Sequence, residues 1–368
     1  MTLSQDNRPI RIATPLGDSA LIVQSLSGTE WISQPFSFDL HLVSEQNDIT
    51  FDQLAGGNCT LGIRSSDGRE RHINGIISEF TQTQTSGKDG LSKYQAVLSP
   101  TVLLLEQCFD CRIFQDKSTP DIIKAVLSRD SLSKKGVAQS IDFRMDVMGG
   151  YTNREFCVQY KESDFDFINR LCETEGIFYF FEHENKKHIL VFAGDAGKHK
   201  PIAAGHGSAM RLQGALGGHM DQESIQTLQV NHRLVSARYE ARDYNFTMPG
   251  NDSTVQRDTA NPKPRGVGEI YEYPGGYAKS ADEGDKVAKL RMEANDSLAV
   301  GIRGQSNCRA FGAGFKFSLA EHPIKDLNSK AYVLTQVCPE AQQDITTGAT
   351  DGDTYLNRLC PTPPPTGP

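Results

Sequence analysis

The amino-acid sequence predicts a mainly β protein with α+β insertions. Short runs in which apolar and polar residues alternate fill the first hundred residues and return toward the end of the chain, a pattern typical of half-buried strands. Capped segments with helical spacing lie between these β-rich ends. The length of 368 residues is more than one compact core usually holds, which indicates two to four domains.

The first hundred residues are predicted to form a sandwich or a barrel. Phe36, Phe38, Leu40 and Leu42 alternate with mostly polar neighbours, which is the pattern of a strand with one buried face. Many short strands separated by turn signals are typical of these two architectures. The further strand runs are 20–26, 60–64, 71–80 and 94–99, and the turn signals are 56–57, 67–68 and 87–90.

A first helix is predicted over about 119–129. Ser118 is a hydroxyl N-cap, Pro120 stands at the helix start and Asp121 places an acid in the first turn. The predicted apolar stripe is Ile122, Ile123, Val126 and Leu127.

The segment 154–192 gives the most specific structural signal in the chain. A strand at 155–160 leads into a helix over 163–175, which Ser163 and Asp166 cap at the start and Gly176 ends. Residues 177–192 are then predicted to form a hairpin. The segment is rich in aromatic residues, and three of them are predicted to lie in a core or an interface: Phe178, Phe180 and Phe192.

The second half of the chain returns to the β pattern. After a glycine-rich stretch over 201–228, strands are predicted at 229–245, 315–319 and 331–337. A polar stretch rich in Pro and Gly over 248–268 is predicted to be a loop or an inserted segment. A third helix is predicted over 282–295, with Val287, Leu290, Met292 and Ala294 as candidate buried positions. The prolines at 361 and 363–365 predict a stiff linker.

Composition and charge exclude several classes of partner. A net charge of −8 argues against nucleic acid and anionic membranes, since phosphate-binding surfaces need an excess of basic residues. The sequence contains no run of 18 apolar residues, so no membrane-spanning helix is predicted. Residues 1–17 lack the basic and apolar regions of a secretory signal. The sequence therefore predicts synthesis in the reducing cytoplasm, where the eight cysteines stay mostly as free thiols.

The motifs that resemble catalytic or metal sites are each incomplete. The flanks of the CxxC pair Cys108 and Cys111 do not fit a thioredoxin-type site, and the second pair that zinc needs is missing. His183 and His188 are five residues apart, whereas the HExxH zinc motif needs four. The stretch 205–208, GHGS, lacks the last glycine of a nucleophile elbow. We therefore predict no catalytic residue, no metal ligand and no cofactor.

Acidic residues cluster around the helix predicted over 163–175. Capping and solvation explain them better than catalysis, although one sequence leaves a glycosidase-type pair of carboxylates open. These acids are Glu162, Asp164, Asp166, Glu173 and Glu175.

Several segments, taken in order, resemble the N-terminal half of the VgrG family, the spike proteins of bacterial type VI secretion. The resemblance covers roughly residues 8–340, and its motifs are modest singly but specific together. They are DCRIFQ at 110–115 with TPDII at 119–123, CVQY at 157–160, ESDFDF at 162–167, EGI at 175–177, FEH at 181–183, DYNF at 243–246, YEYPG at 271–275, GQS at 304–306, GFKF at 314–317 and HP at 322–323.

This resemblance implies a fold similar to a phage baseplate hub, with two β-barrel-like tube domains and smaller α/β domains. The implied division is a first barrel over 1–105, an inserted α/β domain over 106–200 and a second barrel over 201–345 with an inserted segment at about 246–300. Residues 346–368 would then be a Pro-rich linker toward an OB-fold and needle that this sequence lacks.

The implied function is that of a non-enzymatic hub of the type VI secretion spike. Three copies would form a trimer that caps the hexameric Hcp tube, carries the needle and effectors, and is exported by the secretion apparatus. The alternative is the hub of a phage or phage-like contractile tail. Two other classes remain, a peptidoglycan hydrolase that uses Glu173 and Glu175, and a redox protein that uses the CxxC pair.

Overall fold

The computed structural model describes residues 4–65, 67–85, 90–202, 209–212, 223–260, 266–277, 281–320, 322–328, 330–345 and 354–362. Within these ranges the chain is mainly β, with four α-helices. The turn predicted at 87–90 and the GHGS stretch at 205–208 lie wholly or largely outside the described residues.

Six antiparallel strands form barrel 1, in the spatial order β1-β4-β5-β6-β3-β2. The two end strands are joined by one side chain, because Gln343 bonds the backbone NH and carbonyl of Ile10 and the carbonyl of Val23. This amide is 2% exposed and closes the barrel where backbone pairing stops. The strands are β1 (Ile10–Ala13), β2 (Ile22–Trp31), β3 (Ser37–Ser44), β4 (Asn58–Arg64), β5 (Glu70–Gln84) and β6 (Ser92–Ser99).

Six further strands form barrel 2, in the order β12-β18-β19-β20-β17-β13. A parallel bridge between Leu212 and Ile225 returns the ring to its start, so this barrel is also closed. Its core includes the stacked rings of Phe317 and Tyr332. The strands are β12 (Ala209–Arg211), β13 (Ile225–His232), β17 (Val300–Ser306), β18 (Lys316–Ala320), β19 (Ala331–Gln342) and β20 (Thr354–Thr362).

The two barrels share one continuous sheet. β2 of barrel 1 pairs antiparallel with β19 of barrel 2, and Trp31 lies opposite Gln336 in this register. This pairing of β2 with β19 is here called the seam. Beside the seam, the buried guanidinium of Arg71 in β5 forms an ion pair with Glu30 in β2. Burial is the largest single influence and would lower the pKa of Arg71, but the charge and hydrogen-bond interactions with Glu30 and Tyr355 together raise that pKa. A buried ion pair thus lies where the barrels meet.

An inserted region between the barrels holds three helices and two small sheets. β7 and β9 form a two-stranded ribbon, and β10, β11 and β8 form a three-stranded sheet. The elements are β7 (Phe109–Lys117), α1 (Thr119–Val126), α2 (Arg129–Lys134), β8 (Phe143–Asp146), β9 (Arg154–Ser163), α3 (Asp164–Glu175), β10 (Phe178–Glu184) and β11 (Lys187–Ala193).

The helix caps predicted in this region are confirmed. The hydroxyl of Ser118 accepts from the backbone NH of Asp121, and that of Ser163 from Asp166, while Gly176 adopts the left-handed C-cap with φ of 68°. The first helix ends three residues earlier than predicted, because Ser128 caps a separate helix, α2.

A second insertion in barrel 2 consists of three short strands and one helix. They are β14 (Arg238–Ala241), β15 (Val255–Asp258), β16 (Glu269–Glu272) and α4 (Ala281–Ser297). β14 is central, and α4 covers one face of this sheet with Ala288 and Met292. Met292 is buried as predicted, but Ala294 is exposed and Val287 and Leu290 are only half-buried.

Three predicted segments differ from the structure. The strand predicted over 229–245 is two strands in different sheets, β13 and β14, and the stretch 248–268, predicted as a loop or an inserted segment, contains β15 of the second insertion. Residues Thr354–Thr362 of the predicted linker form β20, which lies between β19 and β17. Their alternation of buried and exposed residues is a strand pattern that the neighbouring prolines obscured.

Candidate assembly surfaces

The β7–β9 ribbon separates two kinds of side chain onto its two faces. On the inner face Phe114 stacks on Phe167 of α3 at 5.7 Å between ring centroids, and Gln159 is fully buried. Residues of the outer face project into solvent because strand side chains alternate. This outer face, here called the ribbon face, consists of Phe109, Cys111, Ile113, Phe156, Val158 and Tyr160.

The ribbon face is strongly apolar for an exposed surface. Ile113 and Tyr160 are 66% and 67% exposed, and cross-strand pairing sets Ile113 beside Val158 and Cys111 beside Tyr160. β7 and β9 pair only with each other within the described part of the chain, so the ribbon also presents open strand edges. Contiguous exposed apolar residues and open edges are typical of protein–protein contacts.

A buried charge cluster fixes the ribbon to the helices. The carboxylate of Asp164 is fully buried and accepts hydrogen bonds from Arg112 of β7 at 2.6 Å and from Lys135 at 2.9 Å. A third bond comes from the side-chain amide of Gln159 in β9. Since this one carboxylate joins both strands to α3 and to the end of α2, the ribbon is held rigidly despite having only two strands.

A second exposed aromatic surface lies on the insertion that contains α4. Parallel register sets Tyr271 of β16 beside Glu240 of β14, on the face opposite α4. The backbone continues this pairing, because the NH of Arg242 donates to the carbonyl of Glu272. This surface, here called the tyrosine face, consists of Tyr244, Phe246, Met248, Tyr271 and Tyr273.

Asp243 holds the two segments of the tyrosine face together. Its carboxylate accepts from the backbone NH groups of Tyr244 and Tyr277, each at 2.7 Å. The buried hydroxyl of Tyr277 lies 2.7 Å from the carbonyl oxygen of Ala241 and 2.8 Å from that of Ser253, and its one hydrogen is shared between these two acceptors. The DYNF and YEYPG motifs therefore build one local scaffold, and it is the exposed residues of both motifs that are available for contact.

The hairpin β10–β11 lies between the two barrels. The backbone of Tyr179 bonds Ser33 beyond the end of β2, while Phe180 packs against barrel 2 at Gly314. Phe180 and Phe192 are buried as predicted, and Phe178 is half-buried. This segment therefore braces one barrel against the other.

The two histidines of this hairpin are structural. They lie opposite each other, and His188 bonds Asn74 through Nδ1 at 2.9 Å and Thr101 through Nε2 at 3.2 Å. The Nδ1 of His183 accepts from the backbone NH of Asn74. Burial lowers the pKa of His188 to about 4 and that of His183 well below its usual value, so both rings are neutral at pH 7.

The structure separates the residues of the other candidate sites. Cys108 is buried with its thiol toward the carbonyl of Leu104, and burial raises its pKa, whereas Cys111 lies on the ribbon face. The carboxylate of Glu175 is bound by Arg154 at 2.7 Å, while Glu173 is exposed near Arg291. Within the described residues, no group of three His, Cys, Asp or Glu side chains is arranged to hold a metal.

The other acids of the cluster have structural partners as well. Glu162 pairs with Arg170, and Asp166 accepts from the hydroxyl of its cap, Ser163. All eight cysteines are free, as predicted for most of them. In the described part of the chain, no helix is long and apolar enough to cross a bilayer.

Sequence reasoning missed both assembly surfaces. The alternation of FDCRIFQ at 109–115 and REFCVQY at 154–160 was a usable signal, because it places large apolar residues of both strands on one shared face, and such a face needs cover. Among the residues that the structure describes, none covers the ribbon face.

Comparison with known proteins agrees with this architecture. Residues 29–345 match the family model described as phage tail baseplate hub (GPD). The type VI secretion system spike protein VgrG1a of Pseudomonas aeruginosa is 34% identical over 345 residues, which are 94% of this chain and 52% of that protein. The chain spans about half the length of the curated relatives it matches.

Solved structures show the same fold at low sequence identity. The E. coli c3393 protein, described as a component of the type VI secretion system, matches with a TM-score of 0.66 and 17% identity over 93% of this chain and 74% of its own. The tail protein of Neisseria meningitidis MC58 matches with a TM-score of 0.64 and 10% identity over 96% of both chains. The predicted hub-like fold of two barrels with α/β insertions is confirmed, and the chain belongs to the phage tail baseplate hub family, with VgrG spike proteins among its relatives.

Proposed function

We propose that this chain is the structural hub of a type VI secretion spike, acting without enzymatic activity as the base of a homotrimer. The observation that carries the proposal is the presence of two closed six-stranded barrels side by side in one chain. Three copies would supply six barrels, and a ring of six similar units matches the hexameric Hcp tube in symmetry. The VgrG names of relatives with up to 34% identity support the same system.

In this proposal the trimer caps the Hcp tube, carries the needle and effectors, and leaves the cell through the secretion apparatus. The division into barrel 1 over 1–105, inserted domain over 106–200 and barrel 2 from residue 201 belongs to the same proposal, and β20 carries barrel 2 beyond the predicted 345 to Thr362. The structural roles of the charged clusters support it, since Asp164, Glu175 and Glu30 each bind a basic partner inside the fold.

The proposal is tested by reconstitution with Hcp. Sedimentation should show a species of three chains, and electron microscopy should show it at the ends of Hcp tubes. A hexameric ring protein of similar diameter from another system serves as control and should stay uncapped. Binding to Hcp tubes only as monomers, or to both rings alike, would contradict the proposal.

The hub of a phage or phage-like tail is the second candidate. The family description and the likeness to a Neisseria tail protein favour it. Tube and sheath genes of a secretion system beside the coding gene would support the spike, whereas phage structural genes would support the tail hub.

Two enzymatic alternatives are tested by substitution. If the chain has lytic activity on peptidoglycan, Glu173→Gln and Glu175→Gln should abolish it under the hydrolase hypothesis. A redox role requires that Cys108→Ser alter assembly or secretion. We expect neither effect, because Glu175 already binds Arg154 and Cys108 is buried away from Cys111.

A further inference from the structure

We propose that the ribbon face of one copy docks on the tyrosine face of the next copy. This inference rests on the proposed homotrimer and names the two surfaces that would form it. Its starting observation is that the chain exposes two different aromatic surfaces, on two different insertions.

The ribbon face and the tyrosine face lie at opposite ends of a series of elements that pack on one another. The inner face of the ribbon packs on α3, where Phe114 stacks on Phe167. The C-terminal end of α3 meets α4, since Leu290 packs against Gly176. The other side of α4 covers the sheet of β14, β15 and β16, whose far face carries Tyr271. The ribbon face and the tyrosine face are therefore separated by both helices and cannot cover each other within one chain.

Symmetry then selects how the faces pair. A surface that pairs with itself produces a two-fold contact, which closes at two copies. A ring of three requires a contact between two different surfaces, so that each copy gives one and receives the other. A chain that exposes one apolar surface at each end of a rigid stack has the parts that such a ring needs.

The side chains of the ribbon face and the tyrosine face are chemically complementary. The ribbon face supplies aliphatic side chains such as Ile113 and Val158, and the tyrosine face supplies rings with hydroxyl groups, a combination common in interface cores. Lys161 lies at the rim of the ribbon face, with its ammonium 5.3 Å from the ring of Tyr160. Glu240 lies directly beside Tyr271, so the ammonium of Lys161 would meet a carboxylate at this point of the contact.

Mixing two variants tests this pairing directly. Ile113→Asp places a charge on the ribbon face, and Tyr271→Asp places one on the tyrosine face. Both positions are exposed, so each variant should keep the wild-type circular dichroism spectrum. Alone, each should lose the trimer in sedimentation. Mixed in equal amounts, they should form a one-to-one pair and nothing larger, because only one intact ribbon face and one intact tyrosine face remain.

The matched control is Ile324→Asp, which charges an exposed isoleucine outside both faces and should leave the trimer intact. A trimer that persists in either face variant would overturn this inference and leave the proposed function standing. A mixture that stays monomeric would also overturn it, because the two intact faces would then have failed to bind. A wild-type chain that is monomeric at every concentration would overturn both the proposed homotrimer and the pairing.

Discussion

At the scale of single residues, the absence of a side chain at Gly314 allows the hairpin β10–β11 to contact barrel 2. Gly314 has φ of +87°, and a Cβ built there would lie 2.4 Å from the ring of Phe180. Glycine is needed for both the backbone conformation and the close approach. The contact between Gly314 and Phe180 spans 134 residues, and no local sequence pattern encodes it.

Phe180→Ala should reduce the free energy of unfolding by about 3–5 kcal/mol, because the ring is 1% exposed and its removal leaves a cavity between hairpin and barrel. Urea denaturation of the purified chain measures the change. Phe51→Ala is the matched control, since Phe51 is 42% exposed and the same truncation should cost clearly less. Equal stability of the Phe180 variant and the wild type would show that the hairpin does not brace the barrels.

The buried histidines predict a loss of stability in mild acid. The pKa of His188 is lower in the folded chain, at about 4, than the value near 6.5 expected when it is unfolded, so the unfolded state binds more protons between these values. The contribution of His188 is therefore fully present above pH 6.5 and is lost as the pH falls toward 4. It amounts to about 3 kcal/mol, and His183 acts in the same direction.

The free energy of unfolding, measured from pH 7.5 to pH 4, should fall less steeply in His188→Gln than in the wild type. His41→Gln is the control, because His41 is exposed on β3 and its replacement removes no buried contact. Identical pH profiles for wild type and His188→Gln would contradict the neutral buried ring.

At the scale of elements, local chemistry predicted the helices well and the last strand poorly. Ser163, Asp166 and Gly176 encode the two ends of α3 within the segment itself, so the sequence was sufficient there. β20 owes its strand conformation to partners 12 or more residues away, with Val337 opposite Leu359. The neighbouring prolines predicted a linker because proline cannot donate a ladder hydrogen bond, but Pro361 lies next to a register shift.

Adjacent substitutions in β20 test its place in the barrel. Leu359→Asn should destabilise barrel 2 by several kcal/mol, about 2–5, because it buries a polar amide where an apolar side chain was. Arg358→Asn, one residue earlier, faces outward and should cost at most about 1 kcal/mol through loss of the surface pair with Glu340. Thermal unfolding compares the two variants. Equal, small effects would fit a linker instead of a strand.

At the scale of the whole molecule, the sequence predicted β-rich ends and inserted helices, but not how the ends join. Strands β2 and β19 are some 300 residues apart in the chain, and their pairing depends on the closure of both barrels. The assembly surfaces were missed for a related reason. A residue such as Ile113 follows the ordinary strand pattern, and its 66% exposure among the described residues becomes visible only in the folded chain.

The ion pair at the seam of the barrels should behave differently in single and double variants. Arg71→Met alone leaves the carboxylate of Glu30 buried and unpaired, at a cost of about 3–5 kcal/mol. Arg71→Met combined with Glu30→Leu removes both charges and should recover most of that stability. Calorimetry of the wild type, both singles and the double variant completes the cycle. Additive losses in the double variant would argue against a coupled pair.

The sequence contains a single tryptophan, and the fold places it where the barrels join. Trp31 is 37% exposed and lies opposite Gln336 on the strand of the other barrel. Its fluorescence therefore comes from one known position, without any attached dye. A shift of its emission to longer wavelength would signal that the two barrels have begun to separate. Trp31 is therefore an intrinsic fluorescence probe of the pairing between β2 and β19.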